Sequence, residues 1–112
     1  MKHKTYIPQG VSELLDQLAY MMLYSPKFKD TTGYFPQQNI DTAFLSLNEG
    51  LLVIRKKLGE ERYAALQVMS DRMRALFESD PEDATGDASA GRKLIREMEG
   101  ILKSTAKRQG TK

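Results

Sequence analysis

Apolar residues return every three or four positions along most of this chain, and the periodic stretches stop at proline or glycine. Val11, Leu14, Leu15, Leu18 and Met22, continued by Ser25, keep a helical period, which predicts a first helix from Pro8 or Val11 to Tyr24 with Pro26 as its stop. Between Lys27 and Gln38, Gly33 and Pro36 punctuate an ordered loop with Tyr34 and Phe35 as its core anchors. A second helix is expected after Asn39 or Asp41 as N-cap, with Ile40, Phe44, Leu47, Leu51, Ile54 and Leu58 on one face and Gly59 as terminator. Leu45 and Leu52 fall on a second side, which predicts a central helix touched by several neighbours.

A third helix begins at Glu60 and Glu61, whose carboxylates favour the positive end of the helix dipole. It carries Tyr63, Leu66, Met69, Met73, Leu76 and Phe77 as far as Asp80-Pro81. A fourth, capped by Asp87 or Ser89, presents Leu94, Ile95, Met98, Ile101 and Leu102. No strand and no internal repeat is visible, and the six methionines read mainly as core filler at helical spacing. The expected fold is all-α: a compact bundle or orthogonal array of about four helices, between which the pattern does not choose.

Length narrows this to one domain over residues 1–112, with 1–7 and 104–112 as polar, flexible ends. A domain of this size buries about two-thirds of its unfolded surface, so well-marked apolar faces must carry the stability. The absence of cysteine removes disulfides, thiolate zinc sites and cysteine nucleophiles together. No apolar run approaches the roughly 20 residues a membrane span needs, and the start has no apolar signal core, so a cytoplasmic protein with no membrane partner is expected.

The formal net charge of +2 misdescribes the body of the protein. Lys2 and Lys4 at one end, with Lys103, Lys107, Arg108 and Lys112 at the other, are all basic. Residues 5–102 keep 11 of the 17 basic residues and all 15 acidic ones, a charge of −4. Five of the acids, Glu78, Asp80, Glu82, Asp83 and Asp87, fall in ten positions with no base among them. That run predicts against direct nucleic-acid binding.

Candidate chemistry is sparse. His3, the one histidine, sits in the charged N-terminal segment, where a general base is poorly positioned. Phosphate-cradling glycine loops and nucleophile elbows are absent. The segment from Asp80 to Asp87 fails as a calcium loop, because Thr85 stands where the turn glycine belongs and Ala84 where an oxygen ligand belongs. The expectation is therefore a non-enzymatic protein with no catalytic residue, cofactor or metal site.

Two surfaces remain as candidates for partner binding. The carboxylates of Glu78, Asp80, Glu82, Asp83 and Asp87 read either as a solvated, helix-capping loop or as a docking edge for a basic partner. Tyr20 and Tyr24 lie opposite the apolar stripe of the first helix, and read either as interface residues or as cover for a neighbouring loop. Arg55-Lys56-Lys57 and Arg92-Lys93 with Arg96 are ordinary charged helix faces. The basic tail leaves a second reading open, a small helical nucleic-acid-associated regulator or adaptor whose binding would be salt-sensitive and sequence-blind.

Several short runs together resemble a helical immunity protein of a bacterial contact-dependent growth inhibition system. They are Tyr34-Phe35-Pro36, Asn39-Ile40-Asp41-Thr42, Leu47-Asn48-Glu49-Gly50, the segment from Ile54 to Tyr63, and Asp80-Pro81-Glu82-Asp83. The likeness spans roughly residues 20–102. It implies a protein that binds a cognate toxin domain, often a tRNA-cleaving nuclease, and blocks its active site or a required surface. An acidic body suits a partner with a basic cleft, whereas the basic ends fit direct plugging of such a cleft less well.

Overall fold

The computed structural model describes residues 6–28 and 39–110, with side chains as far as Thr105. The expected anchors Tyr34 and Phe35, the N-terminal Lys2, His3 and Lys4, and the side chains of Lys107, Arg108 and Lys112 lie outside what is described. The regular structure is helical throughout the described residues: α1 Val11–Tyr24, α2 Ile40–Val53, α3 Arg55–Leu58, α4 Glu60–Ser79 and α5 Asp87–Gly110.

Local sequence sets these boundaries. Asn39 accepts a hydrogen bond from the Thr42 amide at 3.0 Å while the Thr42 hydroxyl accepts one from the Asn39 amide at 3.0 Å, a reciprocal cap that satisfies free N–H groups at the start of α2. The predicted second helix is interrupted at Ile54 (φ −101°, ψ 17°), so α3 is a one-turn continuation that ends at Gly59. Gly59 sits at φ 86°, in the region that favours glycine, and α4 starts directly after it.

Cross-helix contacts fix the topology. The Gln17 side chain of α1 donates to the Ala43 carbonyl of α2 at 3.0 Å, while Leu14, earlier in α1, packs at Gly50, later in α2. Those two helices therefore run antiparallel. Between α2 and α4, Ser70 donates to Asn48 at 2.6 Å and Arg74 pairs with Asp41, again an antiparallel register. The loop 80–86 folds α5 back on α4, and Arg92 near the start of α5 reaches Ser25 just beyond the end of α1. The helices α1, α2, α4 and α5 thus alternate in direction around one core, the arrangement of an up-and-down bundle.

Phe28, Phe44 and Phe77 fill one end of that core. The Phe28 ring meets Phe44 and Phe77 edge-on, with centroids 5.9 and 5.3 Å away. Phe28 holds a left-handed backbone (φ 60°), a strain that full burial of its ring offsets. Gly91 makes room for Phe77, since a Cβ there would lie 2.6 Å from the ring.

Four expectations change. Met21, rather than Met22, completes the buried stripe of α1, because Val11, Leu14, Leu18 and Met21 form one narrow seam. Leu45 and Leu52 are 46% and 47% exposed: α1 and α4 both pack on the other face of α2, so that helix is not surrounded. Residues 6 and 7 are not a free end, since the Ser46 hydroxyl donates to the Tyr6 carbonyl at 2.6 Å and the Tyr6 hydroxyl bonds Glu13. At the other terminus α5 runs on to Gly110, through the stretch whose polarity predicts a flexible end, and Thr105 is buried with its hydroxyl donating to the Ile101 carbonyl.

Candidate functional site

The end of α1, the start of α2, the end of α4 and the start of α5 meet at one pole of the bundle, and the loop 80–86 crosses it. Among the described residues this pole holds six carboxylates, of Asp41, Glu78, Asp80, Glu82, Asp83 and Asp87, against three bases, Lys27, Arg74 and Arg92. It stays negative, but its acids are not the uncompensated row that their spacing predicts.

Asp80 is the clearest correction. It is 2% exposed and is not available to a partner. Its Oδ1 accepts from the Ala84 and Thr85 amides at 2.7 and 3.1 Å, and its Oδ2 accepts from the Ala88 amide at 3.0 Å. The carboxylate thus closes the loop and caps α5 from eight residues upstream, the role predicted for Asp87 or Ser89. Donation from Ala88 leads the effects that pull its pKa from 3.8 to about 2, with the Ala84 and Thr85 amides adding to it against the cost of burial. Gly86 (φ 97°) makes the turn into the helix, and its carbonyl accepts the Ala90 amide at 3.1 Å.

The other acids are drawn into bridges of graded strength. Arg74 pairs with Asp41 and, at 3.0 Å, with Glu78, and lies 5.7 Å from the centre of the Phe44 ring. Those two carboxylates, Asp41 first, raise the Arg74 pKa. Arg92 spans Asp83 and the Ser25 hydroxyl at 3.0 and 3.1 Å. Asp87 accepts from Ser79 at 2.7 Å. Only Glu82 is held solely by an exposed lysine, Lys27, at 3.2 Å, and its side chain is itself largely exposed. Of the five acids expected to form a docking edge, then, Glu82 is the freest, Glu78, Asp83 and Asp87 are shared with structural contacts, and Asp80 is lost to the interior.

Of the two readings open for Tyr20, the covering one fits its contacts. Its hydroxyl lies 3.4 Å from the Phe28 carbonyl and its ring packs against the core, so it covers the turn after α1 rather than offering a free face. Tyr24, its ring tilted against Tyr20 with centroids 4.9 Å apart, remains 40% exposed. Leu23 beside it is 74% exposed, the most exposed large apolar residue described. Sequence reasoning passed over Leu23, although at 100° per residue it stands about 140° from Leu18, on the polar side of α1. Both residues lie within two positions of Ser25, which Arg92 ties to the acidic loop. The structure therefore joins into one pole the two surfaces that sequence spacing treats separately.

No group of three His, Cys, Asp or Glu is arranged to hold a metal ion, and no helix is long and apolar enough to cross a membrane, among the described residues. No family model, curated protein or solved structure matches this chain. What fold and pole define together is an all-helical chain with a negatively charged end and an apolar anchor beside it.

Proposed function

We propose that this chain is a non-catalytic binding protein that neutralises a basic protein partner, in the manner of the immunity proteins it resembles, and that it docks through the acidic pole. The observation that carries the reading is the placement of exposed Leu23 and Tyr24 next to a loop whose outermost carboxylate, Glu82, has only one exposed partner. Interfaces work through an apolar or aromatic anchor surrounded by a charged rim, and a negative rim steers a basic cleft towards it. A nuclease domain, which must attract phosphate, is a partner of that kind.

The test is whether a toxin domain is encoded beside this gene, whether this protein protects bacteria that express that domain, and whether the two purified proteins bind. Wild-type protein is expected to protect and to bind. Leu23→Asp abolishes protection with an unchanged helical spectrum, and Glu82→Lys lowers the association rate about tenfold at low salt, with less effect as salt rises. Full protection by both variants would move the interface elsewhere, and failure of the wild type to bind would remove the immunity reading.

One observation favours a second reading. Arg55, Lys56 and Lys57 form an exposed basic turn at the opposite pole, the footprint expected of a nucleic-acid-associated regulator. Arg55 is, however, engaged by Glu60 through two hydrogen bonds, and Glu61 follows. Retention of labelled tRNA or duplex DNA at physiological salt would favour the regulator; release at that salt favours the protein-binding role.

A further inference from the structure

Because α1 and α4 both pack on the inner face of α2, its outer face carries an uncovered apolar strip. Leu45, Leu52 and Val53 are each close to half exposed there. At a helical pitch they share an arc of about 100° with Glu49 and Lys56. Ile54 breaks the regular helix, but its amide still bonds the Gly50 carbonyl at 3.3 Å, and the Leu58 amide bonds the Ile54 carbonyl at 2.9 Å. The helical course therefore continues and keeps Lys56 on the strip. Glu49 and Lys56 are exposed and hold no ion pair or hydrogen bond among the described residues. Single exposed apolar side chains are ordinary surface, whereas several on one helix face mark a place where another surface docks.

The order of the charges says which surface. Glu49 and Lys56 flank Leu52 and Val53 symmetrically, the two pairs having the same midpoint along the helix. A second copy laid antiparallel, with a two-fold axis passing between Leu52 and Val53, sets Leu52 against Leu52 and Val53 against Val53. The same axis brings Glu49 of each copy opposite Lys56 of the other. These charge contacts lie about 5 Å to either side of the axis, within side-chain reach across the roughly 8–10 Å between packed helices. A register that matched Leu45 to Leu52 would instead put the two Glu49 carboxylates face to face. A partner helix of uniform charge would meet a like charge at one end of the strip. We infer that the outer face of α2 is a homodimer interface, in which two copies pair antiparallel through Leu52 and Val53 with a Glu49–Lys56 bridge on each side.

The contact is small, so the dimer is expected with a dissociation constant of about 100–500 µM. It leaves the acidic pole open: Asp41 lies about 17 Å along α2 from the axis, and the antiparallel arrangement turns the two poles away from each other. Sedimentation equilibrium of the full chain up to about 1 mM is expected to show reversible monomer–dimer exchange. Glu49→Lys and Lys56→Glu should each weaken it about fivefold or more, because each sets like charges at both contacts. An equimolar mixture of the two variants should regain association, since the heterodimer sets acid against base twice, and no folding defect produces that rescue. The chain has no cysteine, so single substitutions report the register. Under mild oxidation at the same concentration Leu52→Cys should cross-link to a covalent dimer, while Leu45→Cys, about 22 Å from its counterpart, should stay largely free. A wild type that is monomeric at the highest concentration, a mixture no more associated than either variant alone, or Leu45→Cys cross-linking as readily as Leu52→Cys would each overturn the inference. No toxin domain enters these measurements, so their failure leaves the reading of the acidic pole standing, and failure of toxin binding leaves the dimer.

Discussion

The two poles of the bundle carry charge in different ways. At the acidic pole the ion pairs and hydrogen bonds cross between elements: Arg74 joins α4 to α2, Arg92 joins α5 to the loop and to the end of α1, and Asp80 reaches across the loop to the α5 amides. At the basic pole the Arg55–Glu60 pair spans only the Gly59 turn between the consecutive helices α3 and α4, and Arg55 rests 4.6 Å from the centre of the Tyr63 ring in the same neighbourhood. The acids of the first pole therefore hold helices together before they face a partner, while the second pole is a solvated surface with local pairing. A cluster of like charges in sequence need not be a cluster of free charges in space.

The largest effect that separates the poles should come from the core beneath the acidic one. Phe28→Ala removes a fully buried ring that links Phe44 and Phe77, and should cost about 3–5 kcal/mol in chemical denaturation. A loss below about 1 kcal/mol would mean the turn after α1 collapses freely and does not organise that pole.

Next comes Asp80. Asp80→Asn keeps the shape but weakens acceptance from three amides, and should lower the thermal midpoint by about 10 °C at neutral pH. The folded pKa of about 2 lies below the ordinary 3.8, so the contribution of this carboxylate is fully present above about pH 5 and is lost as pH falls from about 4 through 2. Midpoints measured from pH 5 to 2 should converge for wild type and Asp80→Asn. Parallel curves would show that the carboxylate does not gain its stability from these amides.

Smaller still is the direct contrast between arginines. Arg92→Ala, which severs Ser25 and Asp83 on two other segments as well as Ser89 on its own helix, should cost about 1 kcal/mol, whereas Arg55→Ala should stay within about 0.5 kcal/mol. Equal costs would break the comparison.

Much of the fold was legible in the chain because it is written in local signals. Asn39 as a cap, Gly59 as a stop and the stripe of α4 all depend on residues a few positions apart, and each is found where its spacing places it. What the sequence hid depends on neighbours far along the chain. Leu45 and Leu52 look core-bound until α1 and α4 are seen to share one face of α2. Phe28 sits between lysines and follows a helix stop, so periodicity does not mark it. The cap role of Asp80 is the nearest to a missed signal: aspartate before proline, followed by small residues and Gly86, is the composition of a loop closed by a side-chain carboxylate. The candidate site was half legible. Its acids and Tyr24 were in view, but Leu23 and the Arg92 bridge that joins the two surfaces were not.

The proposed use of the acidic pole is tested most directly by amide hydrogen exchange of this chain alone and saturated with a toxin domain against which it is found to protect. Docking through that pole should slow exchange at residues 22–28 and 81–86 by about tenfold or more and leave α3 and the start of α4 unchanged. Protection confined to α3 and the first turns of α4, with 22–28 and 81–86 unaltered, would contradict it.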